Sequence, residues 1–190
     1  YCIEKLYQLG ALPVTCSDSS GFIYDEEGID LALLKDIKEV RRERLTEYVK
    51  ARPNAKYFPG ETVWDFEVAA ELAFPCATQN EIGLDQAKVL VKNGVRIVAE
   101  GANMPSSLEA ADYFIEEGLY YCPGKAANAG GVAVSALEMS QNSQRLQWEK
   151  EKVDQELDKI MKNIYENCRD TAKEHQAENN FMLGANIAGF

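Results

Sequence analysis

The chain has 190 residues, 46% of them apolar and 27% charged, and carries a net charge of −11. Such a composition belongs to one globular domain with a proper core, or to a domain with a helical appendage. The negative charge excludes general nucleic-acid binding, because a phosphate backbone would be repelled, and no apolar run approaches the ~20 residues of a bilayer-spanning helix.

In chain order, YCIEKLYQLGA reads as an amphipathic helix with Ile3, Leu6 and Leu9 on one face, closing at Gly10. LPVTC is a short buried strand, and SDSSG a turn rich in side chains that bind backbone or anions. FIYDEEGID reads as a brief extended arm. One long helix is predicted over about 31–50, with Leu34, Ile37, Val40 and Leu45 inward and Lys38, Arg41, Arg42 and Arg44 outward.

AKYFPG and VAAELAFPC supply short strands. A helix over 85–93 ends at Gly94, VRIVAEGAN is a strand flowing into its loop, and Pro105 with Ser106 opens a helix through Ile115. GLYYCPG is a further strand, whose loop enters a helix over about 128–142. A long charged helix from Trp148 to about Lys173 carries the stripe Val153, Leu157, Ile160, Met161 and Ile164. Alternation of short strands and helices predicts an α/β fold: a parallel sheet with helices on both faces.

Three polar runs each follow a strand: PCATQNE, AEGANMP and PGKAANAGGVAVSALEM. Their asparagines Asn80, Asn103 and Asn128 are spaced by about one strand, one loop and one helix, which stacks the loops along one sheet edge, where such folds bind ligands. Amides offer donors and acceptors for a ribose or carboxamide. The Gly101–Ala102 pair lets backbone approach a flat ring, and Gly130 and Gly131 open a helix whose first amides suit a carboxylate. At SDSSG, Asp18 points to ribose hydroxyls, whereas Ser17, Ser19, Lys38, Arg41 and Arg44 point to a 2′-phosphate. The alternative for Lys38, Arg41 and Arg44 is a solvated charged face; where they do meet a phosphate, two cationic contacts outweigh one ribose hydrogen bond, so NADP is expected over NAD.

The five cysteines, Cys2, Cys16, Cys76, Cys122 and Cys168, form no CxxC pair and no metal cluster. They read as reduced, buried thiols of a cytoplasmic protein, with no metal site. Cys76 has no base near it in sequence and reads as a packed thiol. His175, in KEHQAENN, reads as solvated.

Taken as an ordered set, SDSSG, PCATQNEI, AEGANMP, GKAANAGGVAVSALEMSQN and GANIAGF closely resemble the cofactor domain of hexameric, NADP-type glutamate dehydrogenases, over essentially the whole chain. The resemblance implies a Rossmann-like dinucleotide-binding domain over 1–190. Its core would span about 1–145, with C-terminal helices over about 146–190 packing toward a substrate domain. It further implies that the first strand, the Gly-rich loop and the N-terminal substrate domain, with the family's catalytic lysine and aspartate, lie outside these 190 residues. No catalytic residue is then expected here, and the chain alone should be catalytically silent.

Residue by residue, Ala77, Thr78, Gln79 and Asn80 look like the loop against the nicotinamide-side ribose and pyrophosphate, and Gly101, Asn103 and Asn128 like contacts to the nicotinamide ribose, carboxamide and ring. Val132 and Ser135 look like part of the substrate pocket, Ser135 facing the glutamate side-chain carboxylate. Ser17, Asp18, Ser19, Lys38, Arg41 and Arg44 look like the 2′-phosphate region. The implied partners are L-glutamate or 2-oxoglutarate with ammonia, and the implied assembly is a homohexamer. The competing readings are a dehydrogenase for a branched-chain or aromatic amino acid and a non-catalytic nucleotide-binding module. The polar Ser135 argues against both.

Overall fold

The computed structural model describes residues 1–189; Phe190, the last residue of the GANIAGF run, lies outside the described residues. The chain divides into two compact units, residues 1–68 and 69–190.

In the first unit, α1 (Cys2–Gln8) precedes a sheet of β1 (Thr15–Asp18), β2 (Gly21–Tyr24) and β3 (Lys56–Pro59), in that order. Both pairings are antiparallel, which corrects the expectation that these segments belong to a parallel sheet. The physical reason is the turn. Asp18 pairs with Gly21, leaving only Ser19 and Ser20 at the tip, and a two-residue connection can join antiparallel neighbours but not parallel ones. Gly21 allows it: at φ 142°, any Cβ there would collide with the Phe58 carbonyl oxygen.

The single helix expected over 31–50 is broken. Asp30 caps α2 (Leu31–Lys35), its carboxylate accepting the Leu33 N–H at 3.0 Å. The chain then widens into a π-helical turn at Asp36–Val40, Arg42 takes φ 55°, and helix resumes as a 3₁₀ turn (Leu45–Glu47) and α3 (Tyr48–Ala51). Residues 41–44 are all charged and give the core nothing to hold. Leu34, Ile37 and Leu45 are buried with Ile23, Ile29 and Tyr48, but Val40 is 75% exposed and Leu9 of the first helix's predicted face is 76% exposed.

A buried carboxylate anchors this unit. Asp25 accepts from the Tyr48 hydroxyl at 2.9 Å and from Arg52 Nε at 3.0 Å, so its charge is both paired and hydrogen-bonded. Burial pushes the Tyr48 hydroxyl up to about 12, with the bond to Asp25 adding and the Asp30 amide opposing.

The second unit carries the parallel sheet that the rhythm predicts. β4 (Leu72–Ala73), β5 (Ile97–Ala99) and β6 (Tyr120–Cys122) pair in sequence order, with α4 (Leu84–Lys92) and α5 (Leu108–Glu116) in the two crossovers. Ser107 caps α5 by accepting the Ala110 N–H at 3.2 Å. The helix expected over 128–142 begins earlier and is interrupted: α6 (Gly124–Ala127) and α7 (Ala129–Gln144) meet at Asn128, and the Gly131 N–H donates to the Asn128 carbonyl at 3.3 Å. α8 (Lys150–Glu174) presses its half-buried stripe on α7, Leu157 and Met161 lying against Gly130. α9 (Phe181–Ala188), capped by Asn180, packs on α8 and β6, burying Phe181 and Ala185 beside Cys168. No described helix is long and apolar enough to cross a membrane.

Candidate functional site

Because β4, β5 and β6 are parallel, their three following loops emerge at one edge of the sheet. The loops are laced together by backbone. Gly101 and Ala102 donate to the Pro75 carbonyl at 2.9 and 3.0 Å, Asn80 donates to the Met104 carbonyl at 2.9 Å, and Ile82 to Pro105 at 2.9 Å. Between them opens a pocket of about 550 Å³, lined by Ala77, Thr78 and Gln79 from the first loop, Gly101, Ala102 and Asn103 from the second, and Asn128 and Val132 from the third. No lining residue is titratable; the wall offers amides, one hydroxyl and backbone.

Asn128 is the keystone of this wall. Its Nδ2 donates to Asn103 Oδ1 at 2.6 Å and to the Ala102 carbonyl at 3.2 Å, tying third loop to second. Asn80 does not line the pocket; it sits at φ 56° and braces the second loop through Met104. Ser135 stands one turn along α7 from Val132, exposed, its hydroxyl donating to the Gly131 carbonyl at 3.3 Å.

In the first unit, the hairpin tip gathers the other expected residues. Asp18 accepts from the Ser20 amide at 2.8 Å, from the Ser20 hydroxyl at 2.5 Å and from Lys38 Nζ at 3.0 Å. Burial pushes the Asp18 carboxyl up, but the Ser20 and Lys38 hydrogen bonds outweigh it and bring the group down to about 2. Arg44 Nη1 donates to Ser19 Oγ at 2.8 Å. Arg41 is paired with Asp36 and Glu43, each at 2.9 Å, and Lys38 Nζ also donates to the Glu43 carbonyl at 3.2 Å, so both cations meet Glu43. The π-helical turn and the positive φ at Arg42 interrupt the regular helical spacing expected for Lys38, Arg41 and Arg44. Ser17 lies on β1, half way into the hairpin and exposed.

The thiols depart from expectation. Cys168 is buried and Cys16 and Cys122 half-buried, but Cys2 and Cys76 are exposed. Cys2 rides an outer helix face, and Cys76 sits at the loop edge, where a Cβ on Gly101 would come within 2.5 Å of its Sγ. Burial pushes Cys16 and Cys122 up to about 11 each. His175 is exposed at the end of α8. Among the described residues no group of three potential metal ligands exists.

Sequence reasoning missed two carboxylates. Glu81 accepts from the Ala77 and Thr78 amides at 3.2 and 3.4 Å, holding the first loop's shape. Glu100, 2% exposed, sits behind the pocket. The only available signal was a glutamate directly after a buried strand.

The pocket opens at the loop edge of a parallel sheet, and the chain belongs to the Glutamate/Leucine/Phenylalanine/Valine dehydrogenase family, whose model matches residues 1–190. It is 54% identical over 197 aligned residues to the NADP-specific glutamate dehydrogenase of Helicobacter pylori, and 51% identical over 193 to the NAD(P)-specific glutamate dehydrogenase of Xylanibacter ruminicola. Both alignments take in the whole chain, which spans 44% and 43% of those relatives' lengths. Its fold matches the crystal structure of Plasmodium falciparum glutamate dehydrogenase with a TM-score of 0.94 at 48% identity, covering 100% of this chain and 41% of that one.

Proposed function

We propose that this chain is the coenzyme-binding part of an NADP-dependent glutamate dehydrogenase, which interconverts L-glutamate with 2-oxoglutarate and ammonia by hydride transfer. The observation that carries this reading is the three-loop pocket at the carboxyl edge of the parallel sheet, with Asn128 bonded to Asn103 across it. The donor set fits a dinucleotide's nicotinamide half: side-chain amides for a carboxamide and ribose, and Gly101 for close approach to a flat ring. At the hairpin tip, Arg44, Lys38, Ser17 and Ser19 fit a 2′-phosphate, with Asp18 turned toward Lys38 and Ser20. The NADP-specific name of the Helicobacter pylori relative supports the same coenzyme, whereas that of Xylanibacter ruminicola names both NAD and NADP.

When bound, the coenzyme supplies the hydride acceptor. Asn103 and Asn128 orient the ring, Thr78 and Gln79 hold the adjoining ribose and pyrophosphate, and Val132 and Ser135 contribute one wall for the substrate. In this reading the general acid/base and the main substrate site are contributed by the rest of the full-length polypeptide, the relatives being more than twice as long as this chain. The Gly-rich loop and first strand of a Rossmann-like sheet belong to that remainder as well. The assembly we propose is a cytoplasmic homohexamer.

The test assays the full-length protein that carries this chain with L-glutamate, L-leucine, L-valine and L-phenylalanine, each with NADP and NAD. Turnover of glutamate with NADP preferred is expected. Preference for an apolar amino acid overturns the substrate assignment, and preference for NAD overturns the coenzyme assignment.

A further inference from the structure

A buried acid usually sits against a cation, but among the described residues no salt bridge reaches Glu100. Its carboxylate faces only donors: Oε1 accepts from the Tyr121 hydroxyl at 2.8 Å and the Ser106 amide at 3.3 Å, and Oε2 accepts from the Gly124 amide at 2.7 Å. These donors come from three places, namely the loop after β5, strand β6, and the start of α6. Gly124 is drawn so close that a Cβ there would lie 2.6 Å from the Ala102 carbonyl and 3.3 Å from Glu100 itself. Four residues on, Asn128 closes on Ala102 and Asn103. Burial, and then the bond to Glu100, push the Tyr121 hydroxyl far above its ordinary value, so it stays protonated as a donor.

We propose that Glu100 is a positioning residue: from behind the pocket its carboxylate fixes the spacing of the Asn103 and Asn128 loops, and through them the seat of the nicotinamide. This rests on the dehydrogenase reading given above. The choice of acid over amide follows from the partners. Two of the three are backbone N–H groups, which can only donate, so a glutamine must set its NH₂ against at least one of them. Only the Tyr121 hydroxyl can reverse its role.

The experiment makes Glu100→Gln and Tyr121→Phe in the full-length protein, comparing each with wild type. Readouts are kcat with glutamate, Kd for NADP, and Kd for adenosine 2′,5′-bisphosphate, which lacks the nicotinamide. For Glu100→Gln we expect kcat to fall about tenfold, the effect of losing one hydrogen bond to a charged group. The Kd for NADP should rise several-fold while that for the bisphosphate stays within twofold.

A folded Glu100→Gln with kcat and NADP affinity within twofold of wild type overturns the inference. So does an equal loss of bisphosphate and NADP binding, which marks a general structural role. If Glu100→Gln does not fold, Tyr121→Phe decides, since it keeps the carboxylate and removes one donor. A roughly threefold fall in kcat with unchanged bisphosphate binding supports the inference, and wild-type kcat overturns it. A wild type without glutamate turnover sinks the functional reading and this inference with it; an active wild type beside an unaffected Glu100→Gln sinks this inference alone.

Discussion

Gly124→Ala probes the junction behind the pocket from its other side. The added Cβ would lie 2.6 Å from the Ala102 carbonyl oxygen, so the start of α6 must retreat by about 0.8 Å to reach ordinary contact at 3.4 Å. The same retreat can stretch the bond from the Gly124 amide to Glu100, now 2.7 Å, by as much again, to at most about 3.5 Å, where it is all but lost. Overpacking costs ~1–3 kcal/mol and loss of a hydrogen bond to a charged group ~1.5–3 kcal/mol; because the retreat relieves part of the clash, the combined expectation is about 2–4 kcal/mol. With an m-value near 2 kcal/mol/M, the urea midpoint of the affected transition falls by about 1–2 M, compared at equal protein concentration. Asn128 moves with the helix, so NADP affinity should weaken as well. A midpoint within about 0.3 M of wild type, with unchanged NADP affinity, would refute the claim that this close approach sets the pocket.

At the hairpin tip, Lys38→Ala and Arg44→Ala are each expected to lower the ratio of NADP to NAD catalytic efficiency by about tenfold, whereas Arg41→Ala, whose guanidinium is held by Asp36 and Glu43, should change it less than threefold in steady-state kinetics. Asp18 titrates from about 2 when folded toward its ordinary ~3.9 when unfolded. Its contribution is thus complete above about pH 4 and lost as pH falls toward 2. Urea midpoints of wild type and Asp18→Asn should converge across that window, and a constant gap would contradict the assignment. With iodoacetamide near pH 8, Cys2 and Cys76 should label first. Cys16 and Cys122, pushed up to about 11, and buried Cys168 should label only on unfolding, as read by peptide mass spectrometry.

The second unit was legible because its signals are local. Each of PCATQNE, AEGANMP and PGKAAN directly follows an apolar run, and the helix-length spacing between them leaves little topology other than parallel strands with aligned loops. The first unit was harder. Read as a ligand-binding turn, SDSSG gives no hint that its two central residues close a hairpin, and that choice decides parallel against antiparallel. The break at 41–44 hid for a similar reason: apolar periodicity on either side continues in phase, while the positive φ at Arg42 is visible only in the folded chain. Exposure of Cys2 and Cys76 depends on which face each element turns outward, which a short motif does not state. Glu100 was invisible as a junction because its donors lie 6, 21 and 24 residues further on. In a polar loop, a lone acid looks solvated until distant backbone is brought to it.

Asn80 and Met104 both hold left-handed backbone, at φ 56° and 49°, and they face each other through the amide-to-carbonyl bond that braces the first two loops. Asparagine enters that region cheaply, but methionine does so at ~1–2 kcal/mol. Selection acting on fold alone would therefore drift position 104 toward glycine or asparagine and purge valine and isoleucine, whose branched Cβ crowds that conformation most. Met104 is 66% exposed and is not among the residues that line the pocket. Met104→Gly or Met104→Asn should therefore relieve backbone strain while leaving every side chain of the pocket wall in place.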